Sequence, residues 1–312
     1  MDHEKSYLMT KKTYISILIP TRNNVLDLID CINSIMRSDF PLEAIELILW
    51  DNNSKQEYKN ELKDFIKRLD KPEGLKLQLI EHDENLGVYT TRDELFKFAD
   101  KKSGFILSLD DDVILPIFIL KSLLMHFDSD QHVGVVGPRI VYDDAPDETA
   151  HGAGFVNRWF GFYRTKDTEI PVECDYVIGC CMLIRREVID EIGGFDRDYF
   201  TSHGEVDFCL KAKKNGFKVI YDPSVIVRHR VDRGGTRTLE RMYYVYRNKL
   251  LVIKKNFSVP QKWTALFIYY LFGFPKAIID SILINRKVNL SEIKIIFKAL
   301  HNGWFNRFGK RM

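Results

Sequence analysis

The sequence is poor in the features that mark several common functional classes. Its five cysteines (Cys31, Cys174, Cys180, Cys181, Cys209) form no C-x-x-C pair and two of them are adjacent, so neither a zinc site nor a disulfide framework is indicated. Reduced, buried thiols are expected. No G-x-G-x-x-G follows the first apolar run, which speaks against a dinucleotide-binding dehydrogenase. Net charge is nearly absent: 46 Lys and Arg face 44 Asp and Glu, a formal +2. A protein that binds nucleic acid through bulk positive charge is thereby excluded. The first twelve residues, MDHEKSYLMTKK, hold no continuous apolar stretch of the secretory type, so a cytoplasmic chain is expected.

What is present suffices for a large core, since 45% of the 312 residues are hydrophobic and disorder is excluded. The small total charge conceals a split. From Arg241 onward 14 Lys and Arg stand against Asp280 and Glu292, a surplus of twelve positive charges, whereas residues 1–240 carry ten more negative than positive ones. One domain is expected over residues 1–240, in two halves of about 14–140 and 141–240, followed by a basic, aromatic region over 241–312.

Residues 15–19, 45–50, 75–80 and 105–109 are apolar runs of strand length, followed by helix-like stretches at 25–36, 57–69, 88–99 and 116–127. This alternation predicts an α/β fold with a mostly parallel central sheet flanked by helices. Ligands bind such sheets beyond the carboxyl ends of the strands. Residues 20–24, 51–54 and 110–112 stand there. Asn, Asp and Ser also form turns and cap helices, so the first two groups carry both readings.

The third group is Asp110, Asp111 and Asp112, with no basic cluster beside it in sequence. In an extended segment Asp110 and Asp112 project to the same side. A hard divalent cation, Mg²⁺ or Mn²⁺, would relieve their repulsion and keep positions open for phosphate oxygens. The competing reading is a solvated acidic turn. Further on, 133–136 reads as a strand and 142–173 as an irregular insertion, a lid or part of an acceptor site. Residues 176–184 read as a buried strand, 205–215 as a helix stopped by Gly216, and 218–221 as a short strand, with His229 following the apolar run 225–227.

In order, SILIPTRNN, LILWDNNS, ENLGVYTTRDEL, LSLDDDV and VIGCCMLIRREVIDEIGGFDRDYFTSHGEVDFCLKAKKNGFKVIYDPSVIVRH, then YYVYRNKLLVIKK, resemble the family 2 glycosyltransferases over most of residues 14–250. The resemblance implies a GT-A-like fold, a nucleotide-diphosphate sugar donor, and a saccharide or lipid-linked acceptor. It implies Pro20, Thr21, Asp51, Asn85, Gly87 and Arg92 around the nucleotide and its phosphates, with Asp110 and Asp111 on the nucleotide sugar. Asp112 would hold Mg²⁺ or Mn²⁺, completed by Asp110 and His229. Glu205 would be the catalytic base, and Asp207 the last acid of the same catalytic segment. A single base with no covalent nucleophile implies inversion at the transferred carbon. The sequence departs from the family pattern at Gly204, where Glu is usual, at Glu205, where Asp is usual, at Arg22 and at Asp93. Those departures keep a catalytically impaired scaffold in view. A nucleotide-sugar-forming nucleotidyltransferase would want a glycine-rich phosphate loop, and residues 20–24 hold no glycine.

The C-terminal region is read as helical and amphipathic. Residues 263–284 are strongly apolar, but Pro275, Lys276 and Asp280 are expected to interrupt them. Lys254, Lys255 and Lys262 precede the stretch, and Arg286, Lys287, Lys294, Lys298, Arg307, Lys310 and Arg311 follow it. Positive charge on both flanks suits a segment lying on or re-entering the inner face of a membrane. The competing reading packs the aromatics on the catalytic domain or in a dimer.

Overall fold

Alternate residues of the first two strands enter different cores. In β1 (Ile15–Thr21) and β2 (Ile45–Asn52), Ile15, Ile17, Ile19, Ile45, Leu47 and Leu49 join one apolar cluster, and Leu18, Ile48 and Trp50 the other. A period of two sends side chains to opposite faces, so a nearly unbroken apolar run marks a strand covered on both sides. The computed structural model describes residues 13–231, 238–286 and 288–310. The reading of residues 1–12, and the charges of Lys287 and Arg311, lie outside the described residues.

The chain continues from β1 through α1 (Val25–Met36), β2, α2 (Gln56–Arg68), β3 (Lys76–His82), α3 (Val88–Phe96) and β4 (Phe105–Leu109), close to the alternation expected. Strands β3, β2, β1 and β4 are parallel neighbours. After β5 (Val113–Ile114), α4 (Ile119–Ser129) and β6 (Val133–Tyr142) come β7 (Ala145–His151), β8 (Ala153–Asn157), β9 (Phe162–Lys166) and β10 (Val172–Glu173). The stretch read as irregular is thus strand-forming, with β7 antiparallel to β6 and β8–β9 a separate hairpin.

Next, β11 (Cys181–Arg185) lies antiparallel between β4 and β6, which makes the ten-stranded sheet mixed. It is shorter than the apolar run 176–184 because Gly179 and Cys180 turn beside Arg92, where a Cβ on Gly179 would sit 2.7 Å from a guanidinium nitrogen. Helices α5 (Arg186–Ile192) and α6 (Gly204–Lys214) precede β12 (Lys218–His229). The two short runs expected there are one strand, with a bulge between Asp222 and Ile226.

Helices α7 (Leu239–Asn256), α8 (Val259–Ile268), α9 (Phe274–Asn285) and α10 (Leu290–Trp304) complete the fold. Pro275 does not interrupt the apolar stretch: α8 and α9 run on through one wider turn, Tyr269–Gly273, as a helix from Val259 to Ile284. A wider turn accommodates the missing N–H and the ring of a proline. Lys276 and Asp280 pair across one helical turn at 2.6 Å. Helix α10 packs on α7, where Asn302 donates to the Tyr243 hydroxyl at 2.7 Å, and both join the core beneath α6.

Candidate functional site

Register delivers the polar groups to one edge of the sheet. In the parallel pair β1–β2, Thr21 stands beside Asp51, both at carboxyl ends. Strand β4 ends at Leu109, opposite Cys181 of the antiparallel β11, and the Asp110 amide donates to the Cys180 carbonyl at 2.9 Å. Beyond the three aspartates, Val113 of β5 pairs with His229 of β12, and the Arg230 amide donates to the Asp112 carbonyl at 2.9 Å. The acidic loop is therefore clamped at both ends, which carries His229 to Asp112 across 117 positions.

Alternation then divides the three carboxylates. Asp110, Asp112 and His229 present ligand atoms within 4.8 Å of one another, and His229 Nε2 lies 3.0 Å from Asp112 Oδ1. Asp111 points elsewhere, accepting from Thr21 Oγ1 at 2.6 Å and Asn24 Nδ2 at 3.3 Å. Burial and the flanking aspartates raise its pKa to about 7 despite those donors. At His229 burial opposes protonation, yet Cys180 and Asp112 lift its pKa to about 11. The cluster thus demands positive charge. Two carboxylates and an imidazole, joined on one side by a buried arginine, fit an oxygen-preferring divalent ion that tolerates nitrogen.

A cleft of about 650 Å³ opens beside the cluster, and Arg92, Asp110, Glu205 and His229 all line it. Arg92, 2% exposed, donates to Asp110 at 2.5 Å. One helical turn earlier on the same face of α3, Tyr89 donates its hydroxyl to Glu205. Glu205 sits in the first turn of α6 and is 7% exposed. Burial raises its pKa, partly countered by the Tyr89 hydroxyl and Arg92. A carboxylate so raised suits proton transfer nearer neutrality.

Other expected residues form a second group. The Asp51 carboxylate accepts from the Ser54 amide at 3.3 Å and lies 3.6 Å from Lys59 Nζ. Asn85 accepts from Asn52 Nδ2 at 3.0 Å and from the Gly87 amide at 2.9 Å. Gly87, at φ +79°, cannot be replaced freely, because a Cβ there would meet the Phe200 carbonyl at 2.4 Å. Pro20 is the penultimate residue of β1, in register with Trp50.

Asp207 does not reach the cleft. Two residues along a helix turn the side chain by roughly 200°, so it faces the end of α7, accepting from Asn256 Nδ2 at 2.6 Å with Lys211 Nζ at 2.7 Å. It joins α6 to α7 rather than extending the carboxylate pair. The sequence reading also passed over Tyr89, although it stands three residues before Arg92 in a quoted motif, and over the hairpin residues Tyr163, Arg164 and Thr165 that line the cleft with His151 and His203.

The sequence model described as glycosyl transferase family 2 matches residues 16–193, more than half of the chain. The chain belongs to this family. A second model, glycosyl transferase family group 2, matches residues 105–292. Glycosyltransferase AglE of Haloferax volcanii is 22% identical over 261 residues, covering 84% of this chain and 81% of that protein. An N-acetylglucosaminyl-diphospho-decaprenol L-rhamnosyltransferase of Mycobacterium tuberculosis is 27% identical over 116 residues, 35% of this chain and 37% of that one. Among solved structures, a Pyrobaculum calidifontis mannosyltransferase in complex with GDP-Man and Mn²⁺ superposes with TM-score 0.60 at 16% identity, covering 94% of this chain and 76% of that one. S. aureus TarS 1–349 in complex with UDP-GlcNAc gives 0.61 at 17% identity, over 93% and 80%. The fold is GT-A-like, and this family 2 chain is a glycosyltransferase. Membership sets aside the nucleotidyltransferase alternative.

Proposed function

We propose that this glycosyltransferase moves a sugar from a nucleotide-diphosphate donor to a hydroxyl of a lipid-linked saccharide, with inversion, on the inner face of a membrane. The supporting observation is one cleft lined by Glu205 together with Asp110 and His229, which cluster with Asp112. Asp110, Asp112 and His229 would hold Mn²⁺, favoured over Mg²⁺ by the imidazole. That ion supplies Lewis-acid stabilisation of the leaving diphosphate. Glu205 takes the proton of the acceptor hydroxyl as its oxygen bonds to the sugar carbon and the bond to the diphosphate breaks. Arg92 holds Asp110 in place while adding positive charge beside it.

In this reading the second group, with Pro20, Thr21, Asp51, Asn85, Gly87 and Asp111, faces the nucleotide. The half at about 14–140 serves the donor and that at about 141–240 the acceptor. The helix Val259–Ile284 is long and apolar enough to cross a membrane, and only 17% of its most apolar 18-residue window is buried. Exposed Val259, Trp263, Phe267, Phe272 and Leu283 line it, and Gly161 at the β8–β9 turn abuts Ala265. Trp159, Phe160 and Phe162, which flank Gly161 in the same turn, are exposed as well.

The test supplies a panel of nucleotide sugars with Mn²⁺ and follows nucleoside diphosphate release. Release with at least one donor, lost in Glu205→Gln and Asp112→Asn, supports the assignment. Retention of the donor's anomeric configuration in the product, read by NMR, would overturn inversion.

A further inference from the structure

Behind the acceptor side of the cleft lies a group of polar side chains that the reaction above does not use. Lys249, on α7 one turn beyond the cleft-lining Val245, has no carboxylate partner among the described residues. Its ammonium is surrounded by rings: Tyr269 at 5.0 Å, Tyr163 at 5.4 Å and Phe162 at 5.7 Å to the centroids. The Tyr163 and Tyr269 hydroxyls are buried and make no hydrogen bond among the described residues, and neither does Nδ1 of His203. The His203 ring lies 5.3 Å from that of Tyr163.

These four groups come from four elements. Tyr163 is on β9, His203 caps the start of α6 at φ +69°, Lys249 is on α7, and Tyr269 is in the apolar C-terminal helix. Tyr163 and His203 line the catalytic cleft. Ring contacts account for the ammonium through cation–π attraction. They do not account for two buried hydroxyls and an imidazole nitrogen left unpaired beside it, since buried polar groups are normally satisfied. One positive charge with several unused donors is the chemistry of an anion site. Burial depresses the Lys249 pKa to about 8, and that of His203 to about 3, the direction expected where a cation lacks its counter-charge.

We propose that Lys249, Tyr163, Tyr269 and His203 bind the diphosphate of a lipid-linked acceptor, where the cleft meets the apolar C-terminal helix. The position fits such a molecule in order: saccharide hydroxyl toward Glu205, diphosphate at Lys249, hydrocarbon along the helix Val259–Ile284. The inference rests on the lipid-linked acceptor proposed above and assigns its anionic group a place in this chain.

Binding is measured by titration calorimetry in EDTA, so that no metal at the aspartates can hold a diphosphate, with farnesyl diphosphate, farnesol and inorganic diphosphate as probes. The wild type is expected to bind farnesyl diphosphate at least tenfold more tightly than either other probe. Lys249→Met loses that margin, Lys249→Arg keeps most of it, and Tyr269→Phe, which removes one hydroxyl and keeps the ring, reduces it. Thermal stabilisation by nucleoside diphosphate with Mn²⁺ shows that each variant is folded. Equal binding of farnesol and farnesyl diphosphate by the wild type, or an unchanged margin in Lys249→Met, overturns the anion site. Inorganic diphosphate binding as tightly as farnesyl diphosphate overturns the lipid assignment. Sugar transfer to a lipid-free saccharide with wild-type efficiency would instead remove the acceptor reading, and is scored separately.

Discussion

A Cβ at position 204 would lie 2.5 Å from the ring of Tyr89, whose hydroxyl is bonded to Glu205. The glycine that departs from the family pattern therefore makes room for the tyrosine that touches the proposed base. Gly204→Ala should push the ring out of place and destabilise the protein by about 1–3 kcal/mol, as overpacking does. In a Tyr89→Ala background the same substitution should cost much less. A double-mutant cycle by urea denaturation measures the coupling; purely additive effects would refute it.

Tyr89→Phe separates the hydroxyl from the ring. The Tyr89 hydrogen bond lowers the Glu205 pKa against the larger upward effect of burial. Its removal should raise that pKa further. A base acts when deprotonated, so the acidic limb of the kcat/KM profile should move to higher pH, with activity at the alkaline plateau largely kept. Glu205→Gln should lower kcat by roughly 10²–10⁴ on the alkaline plateau and remove the acidic limb. A profile unmoved in Tyr89→Phe would show that Glu205 does not set that limb.

How far the sequence disclosed this arrangement depends on the distance over which each signal acts. Residues 15–19 and 45–50 announced their strands because burial on both faces leaves an apolar run in the sequence itself. The parallel direction of β1 and β2 followed from strand–helix alternation, but the register that sets Thr21 beside Asp51 did not. The place of His229 came from the family motif alone, since nothing local shows that β5 pairs with β12. Asp207 matched its motif yet turns away from Glu205, because helical phase separates residues two apart. The hairpin β8–β9 gives no strand signal in the sequence because β9 is largely exposed and partly charged, while the buried β8 is only five residues long and opens on Ala-Gly. Lys249 was counted as one more basic residue of the tail. Its rings come from β9 and α8–α9, more than eighty residues apart in the first case, and no spacing rule connects them.

The carboxylate cluster makes a prediction independent of turnover. Wild-type protein should bind one Mn²⁺ in the presence of nucleoside diphosphate, seen as loss of the free-ion electron paramagnetic resonance signal. Asp112→Asn removes an ion-facing charge and should abolish most of that loss, whereas Asp111→Asn, whose side chain is turned toward Thr21 and Asn24, should retain most of it once nucleoside diphosphate is saturating for that variant. Equal damage from the two substitutions would mean that the alternation of the acidic loop does not select the ligands.

The basic tail owes only part of its charge to a surface role. Arg247 is fully buried and donates to the Asp198 and Gly309 carbonyls, Lys254 caps the end of α10 at the Gly303 and Trp304 carbonyls, and Lys255 pairs with Asp196 and Asp198. Membrane affinity should therefore rest more on apolar side chains than on the charge total. Phe267 and Leu283, 67% and 68% exposed, can be changed without opening the core. Each buries about 1.5–3 kcal/mol of apolar surface when fully removed from water, so Phe267→Glu with Leu283→Glu should lower partition onto anionic vesicles by at least about tenfold. Flotation with vesicles measures it, and nucleotide-induced thermal stabilisation confirms folding. High salt should weaken wild-type flotation only modestly, because lipid attracts exposed cations by about 1 kcal/mol each and several of these are turned inward. Alkaline carbonate then distinguishes geometry: release of the wild type identifies a helix lying on the surface, and retention identifies one that spans.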